Sequence, residues 1–418
     1  MRSATYRRRW IPIAVFLLGQ GYGPSPLTGE EVLSLEQCIA LALERHPLIA
    51  AAQERRQAAL ARVRQAKALP IPSLYFNSDL QPRLGDFVNS QEAYLGVDQT
   101  LELPQKRAVR RKIAEQETQE AETDTELVKL EVIFQVRRAF YELLLAEEKL
   151  AYARQDLELA EDYLRMAELR LAAGDVARVE VLRAKVEALS ASNAARVAAG
   201  EVNLAKARLN LHLARGKEAP LRIVGQLMVP FAELRLAVLQ AEALQRRPEL
   251  RRLRITLEKE NLVQARSRWS RFPDLDFSLS RHWLEGFPTT WSISITAPLP
   301  FLFHQRPKAE IAESEAVVRA LQREAEQARN SILAEVEEAY VRAQSARDQI
   351  LRFQQDLLPQ AQEVLEMLRF SYQEGEISGL ELIEARRTLN ASRRAYADAL
   401  FEYATALAAV EKAVGRMP

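Results

Sequence analysis

The sequence predicts a mainly α-helical protein with a β-barrel section, built from one structural unit used twice. Three observations predict it. The first is a long internal repeat. Pro47 in ALERHPLIAAAQ matches Pro248 in ALQRRPELRRLR, and 248 − 47 = 201. Pro72 opens PSLYF and Pro273 opens PDLDF, with 273 − 72 = 201, and Gly174 and Gly375 are again 375 − 174 = 201 apart. A solenoid repeat is only ~20–50 residues, so one long unit was doubled and a pseudo-two-fold arrangement follows. The second is composition: 14 Gly and 18 Pro in 418 residues, with Ala, Leu, Arg and Glu dominant, as in long helices and coiled coils. The third is a change of hydrophobic period, from helical to alternating, at one place in each repeat.

Residues 1–23 read as a secretory signal. Arg2, Arg7, Arg8 and Arg9 form a basic start, Trp10 to Leu18 a short apolar run, and Gly19 to Gly23 a small-residue cleavage region. The run is shorter than the ~20 residues of a spanning helix. An uncleaved anchor is the alternative. The organisation is then 1–23 signal, 24–220 first repeat and 221–418 second repeat. An exported chain with no spanning helix is periplasmic, secreted or an outer-membrane β-barrel. The net charge of +1 gives no electrostatic case for a nucleic-acid partner. The single cysteine, Cys38, lies in the amphipathic pattern LEQCIALAL, which predicts core packing and no disulfide or lipid anchor.

The elements follow in order. Ser34 and Gln37 form a capping box that opens a helix over 35–44. Pro47 restarts the helix, and Pro70 and Pro72 stop it. Strands are expected at about 73–81 and 93–101, and again at about 274–283 and 290–298. In the first, Leu74, Phe76 and Leu80 share one face and Tyr75, Asn77 and Asp79 the other. In the second copy Leu275, Phe277, Leu279 and Trp283 alternate with Asp274, Asp276, Ser278 and Ser280. Pro82, Gly85, Asp86 and Asn89 make the first connecting loop, and Gly286 with Pro288 the second turn. Very long helices follow each hairpin, over 105–172 and 307–373, with Pro359 expected to bend or interrupt the second. Gly174 and Gly375 close them in a left-handed cap, and shorter helices return over 176–213 and 379–414. The helices make a coiled-coil cylinder wall of antiparallel segments.

Each strand is near the ~9–11 residues that a tilted membrane strand requires. The apolar faces carry Trp283 and Trp291 at their ends, and the polar faces carry the acids Asp79, Asp98, Asp274 and Asp276, which suit a wet lumen. A soluble hairpin with one buried face is the alternative. Four strands are too few for a barrel of at least ~8, and an open edge in lipid leaves N–H and C=O groups unsatisfied. Chains must then share the barrel; three copies give twelve strands with a pore on the axis.

The chain at this point resembles the TolC-like outer membrane factors. The resemblance rests on LSLEQCIALALERHPLIAAAQ with ALPIPSLYF, on APLPFLF with AEIAESEA, and above all on FSYQEGEISGLELIEARRTLNASRRAYADALFEYATALAAVEKAVG. It implies a trimeric 12-stranded barrel in outer-membrane lipid, continued by an α-helical periplasmic tunnel. It also implies docking on a periplasmic adaptor (membrane fusion) protein and an inner-membrane pump of the resistance–nodulation–division type. VDQTLELPQKRAVRRKIAEQE is similar to the heavy-metal efflux branch (cobalt–zinc–cadmium type), which usually has glycine where this chain has Gln105. Metal-ion efflux is the cargo class this implies. Drug efflux and type I protein secretion are the alternatives on the same fold, and a periplasmic coiled-coil adaptor or scaffold is the alternative of another class.

By the same resemblance the periplasmic constriction maps onto Tyr372, Glu381 and Glu384. Glu381 and Glu384 are three apart and share a helix face, so a trimer would present rings of carboxylates. Their first-repeat counterparts are Glu180 and Arg183. The tips Gly174, Asp175 and Val176, with Gly375, Glu376, Ile377 and Ser378, are the expected adaptor contacts. His46, His212, His282 and His304 are scattered without ligand spacing, so no bound metal is expected. No cofactor motif and no catalytic set is present, so no enzymatic activity is expected.

Overall fold

The computed structural model describes residues 31–79, 84–85, 87, 90–298 and 305–417. The expected signal at 1–23 lies outside them, as do Leu80, Pro82, Asp86, Asn89 and His304. The first repeat runs β1 (Glu31–Leu33), α1 (Leu35–Arg45), α2 (Pro47–Lys67), β2 (Ser73–Asp79), β3 (Glu92–Leu101), α3 (Pro104–Ala173) and α4 (Arg178–His212). After β4 (Leu221–Ile223) the second runs α5 (Leu236–Arg246), α6 (Pro248–Trp269), β5 (Leu275–Leu284), β6 (Thr290–Thr296), α7 (Gln305–Arg352), α8 (Leu358–Glu374) and α9 (Gly379–Val414). The start of α4 moved by the repeat length is the start of α9, since 178 + 201 = 379. The duplication is therefore one of structure as well as of sequence.

Local chemistry explains most boundaries. Gln37 N–H donates to Ser34 Oγ at 3.3 Å and Ser34 N–H to Gln37 Oε1 at 2.8 Å, closing the capping box that opens α1. Pro47 occupies the first turn of α2, where a missing N–H costs nothing. At 70 residues, α3 is on the order of 105 Å long. It ends at Gly174 with φ +87°, and α8 ends at Gly375 with φ +84°, the left-handed cap that only glycine adopts without strain. Between α7 and α8 lies a π-helical turn, Phe353–Leu357, just before Pro359. Leu358 N–H reaches back five residues to the Phe353 carbonyl. The proline ring and its missing N–H break the regular ladder there, and the helix absorbs the fault as a π-bulge.

The core is strung along the helices as separate clusters. One gathers Phe140, Leu143, Leu209, Ile350 and Tyr403 with the fully buried Cys38. A second, beside the glycine turns, gathers Tyr163, Leu365, Tyr372, Leu382 and Leu389. A third joins Leu239 of α5, Val336 of α7 and Val410 of α9. Alanines recur in all three and let the helices approach closely.

Three details differ from the sequence expectation. A parallel pair, β1 with β4, registers Glu31 on Leu221 and Leu33 on Ile223, clipping the start of one repeat to the start of the next. Three-residue strands carry no readable period. The last strand stops at Thr296, short of 298, because Pro298 has no N–H to donate. Asp274 precedes β5 instead of standing on it.

Candidate pore sheet and tip junction

β2, β3, β5 and β6 form one antiparallel sheet in that order. The two hairpins are joined through β3 and β5, so each repeat contributes half. The register aligns Ser73, Asp98, Ser278 and Ser294 in one row, and Leu74, Val97, Leu279 and Ile293 in the next. Side chains alternate between faces along a strand. One face is therefore polar across all four strands and the other apolar across all four. The apolar face is exposed: Leu74, Phe76, Val97, Leu279, Ile293 and Ile295 all lie open.

Asp79, Asp98 and Asp276 share the polar face. Thr100 Oγ1 donates to Asp276 Oδ1 at 2.6 Å, and the Tyr75 and Ser278 hydroxyls share a hydrogen bond at 3.0 Å. A Cβ on Gly96 would come within 2.5 Å of the Tyr75 ring, so the tyrosine lies flat across the sheet only because position 96 has no side chain. Farther along, Glu92 accepts from the Tyr94 hydroxyl and pairs with His282 Nε2 at 2.9 Å, while the Tyr94 and His282 rings stack at 4.3 Å. Asp274 does something else. Its carboxylate accepts from Lys106 Nζ at 2.9 Å and from Leu103 N–H at 3.3 Å, fastening the sheet to the first turn of α3. Among the described residues β2 and β6 each pair on one side only, and every residue of β6 is exposed.

At the other end of α3 the two glycine turns meet. Arg170 Nη1 donates to the Tyr372 carbonyl at 3.0 Å, and its guanidinium lies 4.9 Å from the Tyr372 ring centre. Asp175, Gly375 and Glu376 are exposed. Of the three expected constriction residues, Glu381 and Glu384 lie exposed on one face of α9, as their spacing requires. Tyr372 is placed differently. It is fully buried inside the protomer, edge-on to Tyr163, and its hydroxyl donates to Glu180 Oε1 at 2.7 Å. Glu180 is the first-repeat counterpart of Glu381, so the buried ring touches the acid of the other repeat. Burial, helped by the Glu180 hydrogen bond, pushes the Tyr372 hydroxyl pKa up, and burial with the nearby Glu180 charge raises Tyr163 to about 12.

Among the described residues no helix is long and apolar enough to cross a membrane, and no three metal-type ligands converge. Compared with known families, residues 38–215 and 239–416 match the outer membrane efflux protein model, once per repeat. The chain belongs to the outer membrane efflux protein family. Over 91% of its length this efflux protein superposes on the Campylobacter jejuni CmeC outer membrane channel, covering 85% of that chain at 17% identity and TM-score 0.76. It superposes likewise on the open Neisseria gonorrhoeae MtrE outer membrane channel (91% and 88% covered, 19% identity, TM-score 0.75). CusC, described for folding and transmembrane channel formation, is similar at 20% identity and TM-score 0.75, with 91% of each chain covered. At such identities the likeness is one of fold. No curated protein sequence matches.

Sequence reasoning missed the residues that hold the tips of this efflux protein together. Arg386 of α9 is 5% exposed and donates to Asp156 Oδ1 at 2.7 Å and to Glu187 Oε2 at 2.5 Å. Arg387 reaches the other Glu187 oxygen at 2.5 Å. The start of α9 lies so close to Tyr163 that a Cβ on Gly379 would collide with its hydroxyl and stand 2.9 Å from Glu180. Nothing in a charged helical pattern separates Arg386 from its many exposed neighbours. The only textual signal was an arginine at a position whose helical neighbours Leu382, Ile383 and Leu389 are apolar.

Proposed function

We propose that this outer-membrane efflux protein is the passive exit duct of a tripartite exporter. Three copies share a twelve-stranded barrel, and their helices continue it as a tunnel across the periplasm. The mature chain is 24–418, with repeats 24–220 and 221–418, after removal of 1–23. The observation that supports this most is the two-faced sheet with open edges. An apolar face exposed on every strand needs lipid, and unpaired edges in lipid need partners, which β6 of one copy and β2 of the next supply. Asp79, Asp98 and Asp276 then face the lumen.

The tips Gly174–Val176 and Gly375–Ser378 are the adaptor-facing end, with an inner-membrane pump of the resistance–nodulation–division type supplying the energy. Glu381 and Glu384 form the carboxylate rings of the constriction, and Tyr372 backs them from inside through Glu180. Acidic rings suit cations, which fits heavy-metal ions as cargo. The test is single-channel recording in planar bilayers. Glu381→Ala with Glu384→Ala should raise conductance and weaken cation selectivity. Unchanged values in both would remove the acidic constriction, and a mature chain that stays monomeric and inserts into no bilayer would remove the duct.

A further inference from the structure

Among the described residues the apolar sheet face carries one charge. Arg281 stands in the cross-strand row Phe76, Leu95, Arg281, Trp291. It is exposed, and none of the described carboxylates lies within ion-pairing distance of it. Its guanidinium lies instead 5.2 Å from the Trp283 ring centre and 6.0 Å from that of Trp291. The buried arginines Arg247 and Arg386 have acidic partners at 2.8 and 2.7 Å. Arg281 is exposed instead, on an apolar face where a lone charge is costly in lipid.

Its depth resolves the conflict. β5 leaves α6 and ends at Leu284, before the turn at Gly286, so Arg281 lies three residues from the end remote from the helices. At ~3.4 Å per residue and ~40° of tilt, that is roughly 8 Å below the strand end, within reach of the interface for an arginine stem. An arginine on the lipid face costs ~2–4 kcal/mol at the midplane but ~0–1 near the rim. Trp283 and Trp291 are the residues that favour that rim. If β2 of the next copy pairs with β6, the apolar face of its described residues offers Leu74, Phe76 and Ser78, with no acid among them.

We infer that Arg281, Trp283 and Trp291 form a clasp for the phosphate of an anionic lipid headgroup. The planar guanidinium presents two parallel N–H donors to phosphate oxygens, and the two indole faces hold it in position while their edges remain at the interface. The site commits to a lipid phosphate because the aromatic walls stand on the lipid-facing side at headgroup level, where the phosphates are those of the lipids. The inference rests on the barrel reading above.

The experiment uses the mature full-length chain with Trp269→Phe, which leaves Trp283 and Trp291 as the reporting indoles. Bilayers contain brominated phosphatidylglycerol or brominated phosphatidylcholine, and quenching of the two indoles gives the local preference between them. A preference of roughly fivefold for phosphatidylglycerol is expected, since one interfacial arginine is worth about a factor of that size. Arg281→Gln should bring the ratio to near one and Arg281→Lys to an intermediate value. An equal ratio in wild type, or an unchanged ratio in both variants, overturns the clasp while leaving the barrel intact. Loss of the preference in excess inorganic phosphate would overturn the lipid assignment. Failure to insert into either bilayer would overturn the barrel reading and this inference with it.

Discussion

Arg386→Met should loosen the tip end of the molecule without disturbing the sheet. The arginine joins α9 to α3 through Asp156 and to α4 through Glu187, whose side chains are only 12% and 10% exposed. Its loss leaves Asp156 unpaired and Glu187 held by Arg387 alone. Removing one partner of a buried pair costs ~3–5 kcal/mol, and the surviving Arg387 contact places the cost at the lower end, about 3 kcal/mol. At 1.4 kcal/mol per decade that is roughly 100-fold in a local opening equilibrium. Amide hydrogen exchange on the assembled protein reads it directly. Peptides around 150–190 and 378–392 should exchange roughly 100-fold faster. The strands should not change, because Asp156 lies 156 − 104 = 52 residues along α3, on the order of 80 Å from the sheet end. Asp156→Asn added to Arg386→Met should recover part of the loss, since an amide needs no counter-ion. Exchange at the tips within threefold of wild type, or an equal rise in the strands, would refute the claim that this buried cluster fastens the two helix pairs.

Other outcomes follow from the same geometry. Tyr163 titrates near 12 in the folded chain against 10 when unfolded, so its contribution is fully present below pH 10 and is lost as pH rises through 12. Thermal melts from pH 9 to 12 should therefore fall more steeply in wild type than in Tyr163→Phe; parallel curves would contradict the burial of that hydroxyl. Gly379→Ala should destabilise the tip by about 1–3 kcal/mol through overpacking, read by the same exchange peptides. Adding Tyr163→Phe removes the colliding hydroxyl and should restore part of it, and the absence of any rescue would mean the contact is not the cause. The conductance of the Glu381 and Glu384 double variant and the lipid preference of Arg281 variants test the two ends of the duct.

Much of the fold was legible because its signals are local. A capping serine, a proline in a first turn and a glycine at a left-handed cap each act within a few residues. The hairpins were legible because alternation is a property of one strand at a time. Asp274 misled, since a strand-like spacing continued one residue past the strand, and only the nearby Lys106 and Leu103 show where its carboxylate goes. Tyr372 was legible as a residue of the tip but not as a buried one. Its surroundings come from α3, α4 and α8 together, and no single helix pattern contains them.

The sequence alone determined the doubling, the lengths of the helices, the turns that close them and the two faces of each strand. Tertiary structure alone decided that β3 lies beside β5, that Arg386 turns inward among apolar neighbours, and that Arg281 stands against two tryptophans with no acidic partner among the described residues. The division has a physical cause. Backbone hydrogen bonding and side-chain period are set by residues a few positions apart, whereas the partner of a buried charge or a sheet edge is fixed by which surfaces meet across some 200 positions.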